Sequence, residues 1–322
     1  MSRAMRNAAV LVPVAAAVLG LSGCPVRPSY PSTITPIYAA TSANGLYVYN
    51  GSSWTTYTTA STAGGLASNS LSGVVVMGSG AGAIVYAATA AAGISESNGT
   101  SWVQATGLGS PAVGSLTSSA SVLAATSGGL SALDPDGTTW TNNAAVSTPL
   151  DAFSSGTLTF VAGGTNGLYE FNGTGQAAGS PFAASGFVAS ANSVTSVFLD
   201  SGGDVIVGTN RGIGIQFAGA ASWVAPLPVV SVSRVYADLF GDVFAVTSSG
   251  LYIVQTSAGF VASVTLALPG TVNCVCADGS GNIYAGTSTG LQVSRDGGTT
   301  WSPLLSGPSV TSVTTTAPLY SF

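Results

Sequence analysis

The sequence predicts an all-β fold: a seven-bladed β-propeller of four-stranded antiparallel blades, in which a C-terminal strand completes the first blade. One observation is a motif of a strand, a short loop and a Gly followed by Leu or Ile, which recurs about every 40 residues, the length of one blade. The other is that every Trp follows such a Gly at the same phase of the repeat. The anchoring glycines are Gly45, Gly93, Gly129, Gly167, Gly212, Gly250 and Gly290.

Each repeat divides into four strands, A to D, by its alternating apolar residues and its turn dipeptides. In the last copy strand A is VNCVCAD, strand B is NIYAGTST, strand C is LQVSRD and strand D is TTWSPLL. Asn-Gly or Asp-Gly recurs between strands C and D, and these dipeptides tolerate the positive φ angles of a tight hairpin. The pattern therefore predicts antiparallel blades joined by short turns.

The ends of the repeat array predict how the ring closes. The first copy begins at strand B with Ile37, so blade 1 lacks a strand A on its N-terminal side. The segment SVTSV at 309–313 repeats SVTSV at 193–197, which is the predicted strand A of blade 5. We therefore expect 309–313 to supply the inner strand of blade 1, which removes exposed sheet edges. The segment PLYSF at 318–322 resembles PIYAA at 36–40 and is an alternative occupant of the strand B position.

The N-terminal region has the pattern of an export signal. Arg3 and Arg6 precede an apolar stretch at 8–21 that contains Pro13 and is shorter than the roughly 20 residues of a membrane span. Residues 1–23 are predicted to be a signal peptide, 24–36 a Pro-rich tether and 37–322 the propeller.

The residues Leu21-Ser22-Gly23-Cys24 end this apolar stretch and resemble the lipobox of bacterial lipoproteins. The resemblance implies cleavage before Cys24 and lipidation of its thiol, which would anchor the protein to a membrane of the cell envelope. Pro25 stands where Asp would retain a lipoprotein in the inner membrane. We therefore expect an outer-membrane lipoprotein, facing the periplasm or exposed at the surface.

Composition excludes several function classes. Only 5% of the residues are charged, the formal net charge is −5, and the chain has no His and, by its sequence, no Lys. The acidic balance argues against nucleic acid as a partner. The lack of His argues against histidine-based triads and the usual zinc sites, so no metal or cofactor is expected and catalysis is disfavoured. The domain is expected to be monomeric.

Two turn motifs carry family resemblances. The run VSRDGGTTW at 293–301 resembles the Asp-box, or BNR repeat, of many propellers, and this resemblance implies a structural role away from any active site. The motif D-x-x-G-[DN] before strand B resembles the repeats of two-component-regulator propellers, and its Asp200, Asp238 and Asp278 are expected to accept backbone N–H groups. The Asp-box residues are Ser294, Asp296, Gly298, Thr300 and Trp301.

Propeller topology predicts an uneven distribution of charge. The A–B and C–D turns lie on one face, here called the turn face, and the D–A and B–C loops lie on the other, here called the loop face. Arg211 and Arg234 are predicted on the loop face as ligand-binding residues, together with the long insertions 58–73 and 179–193. The acids predicted on the turn face are Glu96, Asp134, Asp136, Asp200, Asp204, Asp238, Asp242, Asp278 and Asp296.

Two hypotheses about function follow. The favoured one is a non-catalytic binding or scaffold module for a protein or glycan partner, and a purely structural surface role is not separable from it by sequence. The alternative is a polysaccharide-acting enzyme, glycosidase or sialidase-like, that uses carboxylates at the channel mouth. Asp151 is the acid predicted on the loop face, whereas such an enzyme needs a facing pair. Cys274 and Cys276 alternate on one strand and are expected to be small core residues.

Overall fold

A computed structural model shows a seven-bladed propeller, as the sequence predicts. It describes residues 36–316 except 100, 120, 136, 138, 156–157, 173–174, 177–192, 229 and 258. The predicted signal peptide, Cys24 and most of the tether lie outside the described residues, as do the 318–322 segment, most of the 179–193 insertion and Asp136. The part of the chain that is described has no helix long and apolar enough to cross a bilayer.

The chain forms seven four-stranded antiparallel sheets. The strands of blades 1 to 4 are β1 (Ile37–Thr41), β2 (Leu46–Tyr49), β3 (Trp54–Tyr57), β4 (Gly73–Met77), β5 (Ile84–Ala88), β6 (Ile94–Ser97), β7 (Trp102–Gln104), β8 (Val113–Ser118), β9 (Val122–Thr126), β10 (Gly129–Leu133), β11 (Trp140–Asn143), β12 (Asp151–Ser155), β13 (Leu158–Ala162), β14 (Leu168–Asn172) and β15 (Gly175–Gln176). The strands of blades 5 to 7 are β16 (Val194–Leu199), β17 (Val205–Thr209), β18 (Gly212–Gln216), β19 (Val224–Pro228), β20 (Val232–Ala237), β21 (Asp242–Thr247), β22 (Gly250–Ser257), β23 (Phe260–Pro269), β24 (Val272–Ala277), β25 (Ile283–Thr287), β26 (Gly290–Ser294) and β27 (Ser302–Ser306).

The ring closes within blade 1, where the C-terminal strand β28 (Val310–Thr315) takes the strand A position. It pairs antiparallel with β1, with Ile37 opposite Thr315 and Ala40 opposite Ser312. The order β28-β1-β2-β3 joins the two ends of the described chain in one sheet, which closes the ring. This confirms the predicted closure.

The recurrent Thr and Gly of the repeat form the B–C turn. In six blades the Thr that ends strand B donates its side-chain hydroxyl to the carbonyl of the anchoring Gly, as Thr41 does to Gly45 at 2.7 Å. The Gly has positive φ, and a Cβ at Gly290 would lie 2.0 Å from the Leu305 carbonyl oxygen of strand D. A side chain is therefore excluded there both by the conformation and by the neighbouring backbone.

Trp residues at the start of the D strands connect several blades to the preceding one. Trp54 of blade 1 donates its indole N–H to the Leu304 carbonyl oxygen of blade 7 at 3.2 Å. Trp301 of blade 7 donates to the Ala267 carbonyl oxygen of blade 6 at 2.9 Å. The core is distributed in the same way, as buried apolar clusters between adjacent blades. These contacts explain why every Trp falls at one phase of the repeat.

Candidate functional site

The turn motifs serve the fold. Each Asp of the D-x-x-G-[DN] motif accepts two backbone N–H groups of its own turn through Oδ1: Asp278 binds the amides of Ser280 and Asn282, both at 2.9 Å. Asp200 and Asp238 do the same, which confirms the expected N–H acceptance. Asp278 Oδ2 also accepts the Tyr284 hydroxyl at 2.8 Å. Burial and the Asp278 charge raise the pKa of Tyr284 well above its usual range.

The S-x-D-x-G-x-T-W turn is closed by its own polar residues. Ser294 donates its hydroxyl to Asp296 Oδ1 at 2.8 Å and accepts the Gly298 amide at 2.8 Å. Asp296 also accepts the Thr300 amide at 2.8 Å and the Thr300 hydroxyl at 2.6 Å. The hydrogen bonds from Thr300 lower the pKa of Asp296 to about 2. All five predicted motif residues therefore hold the turn and its Trp301 contact.

The structure gives the two predicted ligand-binding arginines different environments. Arg211 lies in the exposed turn between β17 and β18, on the loop face, and its amide donates to Thr209 Oγ1 at 3.0 Å. Arg234 is not at the surface of that face. It lies within β20, the inner strand of blade 6, where it is half-buried and lines the axial channel.

Arg234 belongs to a ring of residues at equivalent positions of the inner strands, here called the axial ring. Each member pairs with the residue at or next to the end of its strand B, for example Arg234 with Val246 and Cys274 with Gly286. This places the ring towards the loop-face end of the channel. Its members are Gly73, Ser115, Asp151, Ser196, Arg234, Cys274 and Ser312.

Members of the axial ring bind the backbone of the next blade. Ser312 Oγ accepts the Val74 amide at 3.2 Å, and Ser196 Oγ accepts the Val235 amide at 3.1 Å. Inner strands have no partner strand on the channel side, so their backbone N–H groups that face the channel need other acceptors. The ring supplies some of these acceptors and thereby holds adjacent blades in register.

Asp151 is the acidic member of the ring and is 4% exposed. Its Oδ1 accepts the Ser115 hydroxyl at 2.8 Å, and its Oδ2 accepts the Ser196 hydroxyl at 2.6 Å and the Val197 amide at 3.2 Å. The carboxylate is therefore shared by blades 3, 4 and 5, and both of its oxygens are engaged.

Arg234 extends across the channel, because its Nη1 donates to Ser115 Oγ of blade 3 at 3.3 Å. Ser115 thus accepts from Arg234 and donates to Asp151, so that the two opposite charges are linked through one hydroxyl. Burial raises the pKa of the Cys274 thiol to about 12, an effect that the nearby Arg234 charge partly offsets. Cys274 and Cys276 are buried and free, in agreement with their predicted place in the core.

The sequence interpretation missed Ser115 and Ser196 as partners of the charged residues. A repeated spacing in the inner strands could have found them. In five blades the ring residue stands two positions after a buried Val: Ser115, Ser196, Arg234, Cys274 and Ser312. Among the described residues there is no group of three His, Cys, Asp or Glu that could hold a metal ion.

No protein-family model and no curated protein sequence matches this chain. Several solved structures match it in fold. The extracellular domain of the one-component system BT4673 from B. thetaiotaomicron matches with a TM-score of 0.58 and 16% identity, over 75% of this chain and 36% of that one. The extracellular domain of the hybrid two-component system BT3049 from the same organism matches with a TM-score of 0.51 and 15% identity, over 83% and 44%.

A third match is PorZ, a bacterial surface component of the type-IX secretion system of Porphyromonas gingivalis, with a TM-score of 0.53 and 14% identity. It covers 84% of this chain and 50% of PorZ. This chain therefore spans half or less of the length of these three structures. The fold is a seven-bladed β-propeller. Identities this low establish the shared fold alone.

Proposed function

We propose that this protein is a lipid-anchored, cell-envelope propeller that binds a protein or glycan partner through its loop face without catalysis. The lipid would be carried by Cys24, and the outer membrane is the favoured location. The solved structures that share its fold include extracellular sensor domains and a bacterial surface component, which supports a location in the envelope and a binding role.

The observation that carries the proposal is that the acidic side chains are used by the fold. Asp200, Asp238, Asp278 and Asp296 accept hydrogen bonds within their own turns, on the turn face. Asp151, the acid nearest the channel mouth, has both oxygens engaged by neighbouring blades. A glycosidase needs a pair of carboxylates that can approach a sugar, so this arrangement favours binding over the glycosidase or sialidase-like alternative.

The loop face offers a specific test, because the chain has matched arginines on its two faces. Arg211 and Arg295 are both exposed and both lie in turns, Arg211 on the loop face and Arg295 on the turn face. The acylated protein would be cross-linked in native membranes as the wild type, as Arg211→Ala and as Arg295→Ala. We expect a stoichiometric partner whose capture is weakened by Arg211→Ala and unchanged by Arg295→Ala. Equal loss in both variants, or no partner with any form, would contradict the proposal.

The anchor is tested separately by Cys24→Ser. Without the thiol there is no lipidation, so incorporation of radiolabelled palmitate, seen in the wild type, is expected to be lost in the variant. A wild type that incorporates no palmitate would argue against the lipid anchor while leaving the loop-face proposal standing.

A further inference from the structure

The axial channel contains a cavity of about 130 Å³. A cavity of this size has room for several waters or a small ligand. Hydroxyl groups of the inner strands line it at Thr117, Ser118, Ser312 and Thr315. Apolar groups contribute as well, among them Phe153 and Phe198, whose rings lie 4.5 Å apart. The cavity thus combines polar and apolar walls around one cation.

That cation is Arg234, and most of its hydrogen-bonding capacity is unused. A guanidinium group has five N–H donors in a planar fork. Within the described part of the chain, the bond from Nη1 to Ser115 is its one hydrogen bond. The remaining donors belong to a side chain that lines the cavity. Such a fork matches the two oxygens of a carboxylate.

The surrounding charges favour a single negative charge on the ligand. The chain has no His or Lys, and Arg234 is the arginine among the residues that line the cavity. The Asp151 carboxylate lies on the far side of Ser115, so part of the Arg234 charge is already balanced. A dianion such as phosphate would meet about twice the repulsion from Asp151 that a monoanion meets, with the same single guanidinium to offset it.

We propose that the axial channel binds a small carboxylate, held by the Arg234 guanidinium and accommodated between the hydroxyl and apolar walls of the inner strands. The carboxylate is carried either by a small organic acid or by the C-terminal end of a peptide that enters from the loop face. This inference rests on the proposed binding role and names the chemistry of the ligand that the axial channel accepts.

The test is isothermal titration of the folded protein with acetate, pyruvate and lactate, each beside its amide. A tetra-alanine peptide with a free C-terminus, beside its C-terminal amide, extends the series. We expect the carboxylates to bind and the amides not to bind. Preference for the organic acids identifies a metabolite site, and preference for the free peptide identifies a C-terminus site. Inorganic phosphate that bound as tightly as the best carboxylate would overturn the proposal, because the site would then select charge alone.

Two arginine variants assign the site. Arg234→Gln keeps a polar side chain of related shape but loses the charge and the fork, and we expect the affinity to fall about tenfold or more. Arg211→Gln removes an exposed loop-face charge outside the cavity and is expected to leave carboxylate affinity unchanged. Far-UV circular dichroism and the urea midpoint establish that each variant is folded. Equal affinity in Arg234→Gln and the wild type would overturn the proposal, as would the absence of binding to every carboxylate.

Arg234→Lys provides a second check that does not depend on loss of charge. A lysine keeps the positive charge but not the bidentate fork, so affinity between that of the wild type and Arg234→Gln is expected. The cross-linking experiment described above reads out the binding role independently. Carboxylate binding without a membrane partner would leave this inference standing and count against the proposed function. A membrane partner that depends on Arg211, without carboxylate binding, would support the proposed function and overturn the carboxylate proposal.

Discussion

The C–D hairpins of blades 6 and 7 place an aromatic residue at the same phase of the repeat, yet the two residues have different surroundings. Trp301 of blade 7 is partly buried and donates its indole N–H to the backbone of blade 6. Phe260 of blade 6 is 55% exposed. The turn of blade 7 has the Ser294 and Asp296 hydrogen bonds, whereas β22 and β23 are joined by a short turn in which Ser257 pairs with Phe260. The comparison indicates that the polar turn, rather than the aromatic residue alone, fixes the contact between blades.

The largest effect is expected when the aromatic residue is removed from each hairpin. Trp301→Ala should lower the free energy of unfolding by about 3 kcal/mol, because it deletes packing between blades 6 and 7 and an indole hydrogen bond. Phe260→Ala should cost less than about 1 kcal/mol, since its side chain is mostly in solvent. Urea unfolding of both variants measures the difference. Similar losses would show that the hairpins are equivalent and that the comparison is wrong.

A second pair of variants separates backbone strain from packing. Gly298 of blade 7 has φ +90°, and a Cβ there would lie 2.4 Å from Ile253 Cδ1. Gly259 of blade 6 has φ +83°, with no atom within 4 Å of the same added carbon. Gly259→Ala should therefore cost about 1 kcal/mol from strain. Gly298→Ala should cost about 2 kcal/mol, because Ile253 must also move. Equal losses would indicate that the blade 7 turn is not packed more tightly.

The pH dependence of the blade 7 turn tests its carboxylate. The pKa of Asp296 is lowered from 3.8 to about 2, so the charged form is favoured by folding. The contribution of the charged Asp296 carboxylate to the free energy of unfolding should be fully present above about pH 4. It should be lost as the pH falls through about 2. The unfolding midpoints of the wild type and Asp296→Asn should therefore differ at pH 7 and converge towards pH 2. A difference that is constant across this range would exclude the charge as its cause.

The smallest effect is expected when a larger aromatic residue is placed in blade 6. Phe260→Trp should change the free energy of unfolding by less than about 0.5 kcal/mol, since the short turn does not direct the ring onto blade 5. Its indole fluorescence should be that of a solvent-exposed Trp. A blue-shifted emission with a gain in stability would mean that ring size, and not the turn, limits the contact.

The propeller could be predicted from the sequence because its determinants are local and repeated. Thr41 and Gly45, and their counterparts in other blades, recur because each B–C turn needs the same hydroxyl bond and positive φ. The axial ring could not be predicted in the same way. Arg234 meets Ser115 only because the ring closes and brings blade 6 opposite blade 3, and neither residue has a local pattern that specifies the other. The sequence places Arg234 on the loop face, but it does not specify that the side chain crosses the channel to Ser115.

The pairing of β1 with β28 also places both ends of the described chain on one face of the disc. Strand B begins, and strand A ends, at the turn face, so both ends of the described chain, beside Ile37 and Thr315, lie at that face. A short chemical linker attached directly beside Ile37 or Thr315 would therefore hold the disc by its turn face. The loop face, with Arg211 at its surface and Arg234 inside the channel, would then point away from the support and stay open to solvent.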